Sequence, residues 1–488
     1  MIKELNITKS DFLDYENCKK NFWLKKNKPE LFEEINLSEF DLKIIEEGNF
    51  VDKEIKHIFP EGIILDVGEN SIKETLDQID NFSTILQGSI ECKDFFIRFD
   101  VLQYNKLENG WDLFEVKSSS SIKKENIKDI TFQKIVAENS GIKINKLFIV
   151  HLNKNYKNEG SIDYEKLFMK SEVTSQSKVI EDSIRDKMNE IKNYLNSSEE
   201  NGCDCRYKSR SNHCSSFNYS NPDITDNSIY ELNRISKKTI VNLLEKKELS
   251  LDKISDPDSL SKYQILQLES FNSKTAIYNL NEIKKELNNL SFPLQFFDFE
   301  TFGNAIPRFE NLRSNDAVPI QFSNHILSSD GSVDHREFLE DKYCKNITLN
   351  LIESMSKNVL DQGTIICWYK PFEKRMLKRL RELHPEYSTY IDNISMRIYD
   401  LMEIFSKAMY VDYRFQGSSS LKKVLPILVP QLSYKDLEIQ DGAQATSEWE
   451  DMILDSTVDK NLVRKNLLKY CAQDTIAMLE IYKFLCNL

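Results

Sequence analysis

Two carboxylate-bearing stretches occur where the surrounding sequence is apolar. Asp298-Phe-Glu300 interrupts the run Phe292–Phe302 (FPLQFFDFETF), whose composition predicts a strand buried on both faces. Lying two residues apart, Asp298 and Glu300 share one face of that strand. Far downstream, Tyr470-Cys-Ala-Gln-Asp474 falls in a segment from about 467 to 485 that has helical spacing. Its apolar stripe runs through Leu467, Cys471, Met478, Ile481 and Leu485, and Asp474 interrupts it one turn after Tyr470. Removing an ionised carboxylate from water is costly unless it is paired or binds a metal. Three on inward faces imply a shared cation and metal-dependent chemistry.

A fourth acid with the same anomaly lies between them. The chain leaves an apolar strand (Thr364–Trp368) and enters a helix near Pro371, a residue tolerated in a first turn. On that helix Glu373 lines up with Met376, Leu377, Leu380 and Leu383, and the opposite side carries Lys374, Arg375, Lys378, Arg379 and Arg381. Glu373 is therefore a candidate ligand, although an acid at a helix start is also favoured by the helix dipole alone.

The N-terminal half holds a second constellation. Phe95–Tyr104 (FFIRFDVLQY) reads as a strand with Asp100 near its end, and Trp111–Ser118 (WDLFEVKS) as the next, after a turn at Asn109-Gly110. Glu115 and Lys117 share a strand face with Trp111 and Leu113. Acids in this pattern can hold a metal while the Lys ammonium steadies a nucleophile or developing phosphorane charge. The bland alternative is a surface hairpin with a solvated Glu–Lys pair.

The order Asp298-x-Glu300, Phe372-Glu373, Tyr470-x-x-x-Asp474 resembles the DnaQ-like (DEDD) 3′–5′ exonuclease family over roughly Leu290–Leu488. That resemblance implies an RNase H-like fold and two Mg²⁺ or Mn²⁺ ions held by Asp298, Glu300, Glu373 and Asp474. It also implies that Tyr470 orients the attacking water. The family normally has Asp where this chain has Glu373. Asp100 with Glu115-Val-Lys117 resembles the PD-(D/E)XK nucleases of the RecB type. There Asp100 and Glu115 would hold metal, and Gln133, on a helix after Lys117, would contact substrate or a metal-bound water. The aromatic residue usual four positions later is replaced by Ala137. Ile7–Trp23 (ITKSDFLDYENCKKNFW) is similar to the opening of RecB-family exonuclease domains. The combined pattern also resembles a bacterial family whose C-terminal part carries a domain-of-unknown-function label.

Of nine cysteines, Cys18 lies early while Cys203, Cys205 and Cys214 cluster late in the N-terminal half. In iron–sulfur members of the RecB-like family, one early and three late cysteines enclose a [4Fe–4S] cluster, which the resemblance favours here over Zn²⁺. The Cys203-x-Cys205 spacing is tight, His213 offers a substitute ligand, and reduced surface thiols remain the plain alternative. Cys92, Cys344, Cys367, Cys471 and Cys486 sit in apolar surroundings and read as core.

The 488 residues, 40% of them hydrophobic, predict an α/β chain of several domains. The expected divisions are 1–227 as the RecB-like PD-(D/E)XK domain, 228–289 as a small helical module, and 290–488 as the DnaQ-like domain. Within the module, Ile235–Leu249 and Tyr263–Ile283 have helical spacing. A net charge of −13 argues against a non-specific nucleic-acid coat but not against local grip, for which Lys19–Lys28 and Lys374–Arg381 are candidates. Gly417-Ser-Ser-Ser420 precedes a helix with Lys422 and Lys423 and could meet a phosphate or simply cap the helix. Asp400 reads as either a neighbour of the metal ligands or a helix cap. Met1-Ile-Lys-Glu-Leu5 lacks a signal-peptide pattern and no apolar run is long enough to span a membrane, so a cytoplasmic location is expected. The expected function is metal-dependent hydrolysis of DNA from a 3′ end with a second RecB-like site. RNA as the polymer, or an N-terminal half that only binds nucleic acid, are the alternatives.

Overall fold

The computed structural model describes residues 6–32, 38–66, 68 and 70–488; Met1–Leu5, where the signal-peptide reading falls, lie outside them. The chain divides into two units. One comprises 1–206, 212–222 and 304–316, and the other 207–211, 223–303 and 317–488. The helices of 228–289 therefore belong with the second unit, and a short excursion from the C-terminal half belongs with the first.

In the first unit the strands are β1 (Ile63–Ile64), β2 (Thr84–Leu86), β3 (Ser89–Cys92), β4 (Phe95–Arg98), β5 (Val101–Asn105), β6 (Gly110–Lys117), β7 (Ile144–Leu152) and β8 (Phe168–Glu172). Six form one sheet in the order β1-β2-β5-β6-β7-β8, and β3 and β4 pair separately. β5 and β6 are antiparallel and turn at Asn109, which takes a left-handed φ of 48°. β6 and β7 are parallel, so a crossover is required. The helices used below are α1 (Lys9–Asn17), α2 (Lys19–Asn27), α3 (Glu39–Glu54), α4 (Lys124–Asn139) and α5 (Thr174–Leu195), and α4 is the crossover. Residues of β6 alternate between two cores. Trp111 and Leu113 join Phe12, Phe132 and Ile191, while Phe114 and Val116 join Val51, Val150, Ala305 and Ile306.

The single strand expected over Phe95–Tyr104 is broken. β4 pairs with β3 and β5 with β2 and β6, leaving Asp100 at the corner. There its carbonyl accepts the Gln87 N–H at 2.9 Å.

In the second unit the strands are β9 (Ile277–Tyr278), β10 (Leu294–Phe302), β11 (Val318–Leu327), β12 (Val333–Leu339), β13 (Ile365–Cys367), β14 (Ile398–Asp400) and β15 (Tyr410–Val411). The main sheet runs β12-β11-β10-β13-β14, antiparallel across its first three strands and parallel thereafter. The helices used below are α6 (Lys262–Ser273), α7 (Leu280–Asn288), α8 (Lys370–Leu383), α9 (Leu421–Leu428), α10 (Gly442–Leu454) and α11 (Lys460–Cys486). Phe296 of β10 packs with Met478, Ile481 and Leu485 of α11. Phe297 and Phe299, on the other face, pack with Met376, Leu377 and Leu380 of α8.

Tyr263–Ile283 is two helices rather than one. Lys274 ends α6 in a left-handed conformation, and β9 intervenes before α7 to pair with β15. Arg379, expected on the wet side of α8, is buried and pairs with Glu382 at 3.2 Å. No helix among the described residues is long and apolar enough to cross a membrane.

Candidate functional site

Of the acids singled out by spacing in the second unit, Asp298 and Glu300 lie together against α11, while Asp474 and Glu373 stand outside that group but near enough for their charges to be felt. Asp298 and Glu300 project toward α11, where Tyr470, Cys471 and Asp474 occupy one stripe. Carboxylate oxygens of Asp298 and Glu300 and the Cys471 sulfur lie within 4.8 Å of one another. Burial, then the Asp474 charge, pushes Asp298 well above the usual carboxylate range. Burial and the Asp298 charge do the same to Glu300. Burial lifts Asp474 to about 6 against the hydrogen bond from Tyr434.

Glu373, in the first turn of α8, is buried. Burial, followed by the charges of Asp298, Glu300 and Asp400, drives its carboxyl up. Neither of its oxygens has a hydrogen-bond partner among the described residues. As an ion such a group is expensive unless a proton or a cation neutralises it, and Glu373 stands outside the group that Asp298 and Glu300 form with Cys471.

Asp400 holds the helix that carries Glu373. Its carboxylate accepts the N–H groups of Tyr369 (3.0 Å), Lys370 (2.8 Å) and Met402 (3.1 Å). It thus serves as a cap for the start of α8 as well as a charge beside Glu373. Ser420 precedes α9 without a side-chain cap bond. Together with Lys422 it lines a cavity of about 290 Å³ whose other walls include Asp298, Trp368, Asp474 and Met478. Tyr470 is buried, and burial followed by the Glu300 charge raises its hydroxyl far above the ordinary range.

Two contributors escaped sequence reasoning. Tyr434 donates its hydroxyl to Asp474 Oδ1, from a loop that offers no periodicity. Cys471 looked like core and is fully buried, yet it abuts the carboxylates. Its position three residues before Asp474 was the available signal.

The first unit assembles its own cluster. Asp100 accepts the Val116 N–H at 2.7 Å, which ties the corner to β6. Lys117 Nζ donates to Glu115 at 2.5 Å and to Asp129 at 2.9 Å. Gln133 Nε2 donates to Glu115 at 2.6 Å and to Asp129 at 3.0 Å. Lys9 Nζ, from α1, donates to Glu115 at 2.8 Å. Burial favours protonation of Glu115, but Lys9 and Lys117 outweigh it and hold this carboxyl low. Burial and the Glu115 charge raise Asp100, and they raise Asp52 of α3 to about 6. Lys9, Asp52, Arg98 and Asp100 line a cavity of about 590 Å³. Lys9, Asp52 and Asp129 were not foreseen. For Asp129 the signal was its place one turn before Gln133 on α4.

Cys18, Cys203, Cys205 and Cys214 also converge, their four sulfurs lying within 4.8 Å of one another, and they could hold a metal. Cys18 caps α2, its sulfur accepting the Asn21 N–H at 3.4 Å. Asn21 Oδ1 in turn accepts the Ser216 N–H at 2.9 Å, and Asn221 donates to Cys203 at 3.3 Å. His213 stacks on Phe217 at 3.5 Å, and the four gathered ligands are all thiols. The other cysteines divide. Cys367 and Cys471 are buried as expected, Cys92 and Cys344 are half-buried, and Cys486 is exposed.

The basic stretch Lys19–Lys28 is less available for phosphate than its sequence suggests. Lys20 and Lys28 each pair with Glu199 at 2.6 Å, Lys25 with Asp14 at 2.7 Å, and Lys26 with Asp11 at 2.6 Å. In Lys374–Arg381, Arg381 pairs with Asp392 at 3.0 Å, while Lys374 and Lys378 are exposed.

Comparison with known proteins places the acids of β10 and α8 in a recognised family segment. Residues 295–420 match a family model described as Domain of unknown function (DUF2779). The match contains Asp298, Glu300, Glu373 and Asp400 and ends before Tyr470 and Asp474. A curated relative, an uncharacterized protein (UU173) of Ureaplasma parvum serovar 3, is 27% identical over 231 residues, covering 40% of this chain. The chain spans 31% of that protein's length. Both findings agree with a bacterial family of unknown function, and neither carries an activity.

Proposed function

We propose that this chain is a metal-dependent nuclease that hydrolyses phosphodiester bonds of DNA, acting as a 3′–5′ exonuclease at the acid site of the second unit. The observation that carries this reading is Glu373, a buried carboxylate with neither oxygen bonded among the described residues and with the charges of Asp298 and Glu300 nearby. The strand order β12-β11-β10-β13-β14, antiparallel and then parallel, supports an RNase H-like fold of DnaQ type. The β5-β6 hairpin, α4 crossover and parallel β7 support the PD-(D/E)XK reading of the first unit.

Asp298, Glu300, Glu373 and Asp474 would hold Mg²⁺ or Mn²⁺, hard cations suited to carboxylate oxygen. Bound there, such ions activate water and stabilise the leaving oxygen of an in-line displacement. Tyr470 orients the attacking water. Tyr434 donates to Asp474 Oδ1 and so orients that carboxylate. Lys422, whose charge reaches both Glu300 and Asp474, meets the backbone phosphate, and the cavity beside Trp368 and Met478 receives the terminal nucleoside.

The first unit supports a second reading. Its acids already have Lys9 and Lys117 as internal cations, so Asp100, Glu115, Lys117 and Gln133 can form either a second nuclease site or a nucleic-acid clamp. The four-cysteine site would hold a structural ion. Cys203 and Cys214 sulfurs are 3.9 Å apart, close to the roughly 3.8 Å expected for thiolates sharing one Zn²⁺ at about 2.3 Å. Thiolates of a [4Fe–4S] cube bind different irons and stand further apart, so the spacing favours zinc where the sequence resemblance favours the cluster.

The test is a Mg²⁺/Mn²⁺ time course on 5′-labelled single-stranded DNA with wild type, Asp298→Ala and Asp100→Ala. A shortening ladder lost in Asp298→Ala is the expected result. Loss only in Asp100→Ala would move the activity to the first unit, and cleavage of labelled RNA alone would change the polymer. No cleavage of either polymer would overturn the nuclease reading.

A further inference from the structure

Cys471 is out of place among ligands for hard cations. It sits fully buried on α11, three residues before Asp474, and its sulfur lies within 4.8 Å of carboxylate oxygens on both Asp298 and Glu300. Its own hydrogen bond is a weak one, to the Asp298 carbonyl at 3.9 Å. One ion with bonds of about 2.1 Å to oxygen and 2.3 Å to sulfur bridges such a group after a small closure. Independent support comes from Glu373 on a different element. It is 1% exposed, has neither oxygen partnered among the described residues, and lies close enough to feel the charges of Asp298 and Glu300.

We propose that Asp298, Glu300 and Cys471 form a site for a thiophilic divalent cation of the zinc class, which excludes Mg²⁺ and Mn²⁺ from the same carboxylates. This rests on the acid site of the second unit being the metal site proposed above. Carboxylates and water alone suit Mg²⁺ and Mn²⁺, whereas an added thiolate selects softer ions. The thiol proton passes to solvent as the metal–sulfur bond forms. Zinc then acts as an inhibitor: it occupies the oxygens that the hard cations need, and excess zinc switches the site off.

Cd²⁺ titration of the full chain tests this, read by the ultraviolet sulfur-to-cadmium charge-transfer band. Wild type should fill the four-cysteine site and then gain a further increment equal to one thiolate. That increment should vanish in Cys471→Ala and in Asp298→Ala, while the four-thiolate phase remains in both. Cys471→Ser is run beside Cys471→Ala so that a packing defect in one does not decide the result. Mn²⁺ binding followed by electron paramagnetic resonance supplies the second readout. Cys471→Ala should lose about tenfold more affinity for Cd²⁺ than for Mn²⁺. Equal bands in wild type and Cys471→Ala, with Mn²⁺ still bound, overturn this inference and leave the metal-site reading standing. Loss of both Mn²⁺ binding and the increment in wild type overturns the two together.

Discussion

A buried glutamate with neither oxygen bonded among the described residues makes stability depend on pH. Asp298, Glu300 and Glu373 all have their carboxyls raised, chiefly by burial, so between the unfolded value and the raised one the folded chain binds more protons. Without added divalent cation, the contribution of these three groups to stability should therefore be fullest below about pH 4 and be lost as pH rises through their folded values, opposite in sign to that of Glu115, whose carboxyl is held low. Melting temperatures recorded across pH should show that decline, and Mn²⁺ should reduce it by replacing protons. Glu373→Gln should flatten the decline without metal and weaken the Mn²⁺ response, both measurable by thermal denaturation. Asp298, Glu300, Glu373 and Asp474 could be singled out because each carboxylate violates the apolar period of its own element, whereas Tyr470 drew attention only through its spacing from Asp474. Tyr434 violates nothing, since a tyrosine in a loop is ordinary. Lys9 meets Glu115 from 106 positions away, a separation that no local pattern encodes.

At the scale of elements, the rotation of α11 decides whether Tyr470 and Asp474 face β10. That rotation is held by polar groups on β11. Thr475 Oγ1 bonds Ser323 at 2.7 Å and His325 at 2.8 Å, and Gln321 donates to the Leu467 carbonyl at 2.9 Å. Thr475→Val leaves both partners short of a bond in a buried layer. It should cost about 1–3 kcal/mol in denaturant unfolding, with Thr475→Ser restoring most of it. Asp400→Ala frees the start of α8 and should weaken Mn²⁺ binding by about 10–100-fold, as measured by calorimetry. The strands and α11 were legible from period and composition. The break at Asp100 was not, because apolar residues continue across it and only pairing with two different neighbours divides the run. The helix expected over Tyr263–Ile283 failed for a related reason. Its side-chain period persists, while the backbone reverses hand at Lys274.

For the molecule as a whole, elemental analysis of the full chain should find about one zinc per chain, lost in Cys214→Ser and retained in Asp298→Ala. Iron with acid-labile sulfide in the same protein would instead establish the cluster. The two-unit division also differs from boundaries drawn along the sequence, because 304–316 belongs with the first unit. Glu47 accepts the Asn304 side chain at 2.8 Å and the Ala305 N–H at 2.6 Å, while Asn158 donates to the Pro307 carbonyl at 2.9 Å. A chain synthesised from its N-terminus acquires these partners only after β10 has been made. In the usual order an N-terminal body is finished before the next begins; here 304–316 can complete its own body only after that point. On the ribosome its first unit waits, with the pocket for Ala305 and Ile306 open, until the strand bearing Asp298 and Glu300 has emerged.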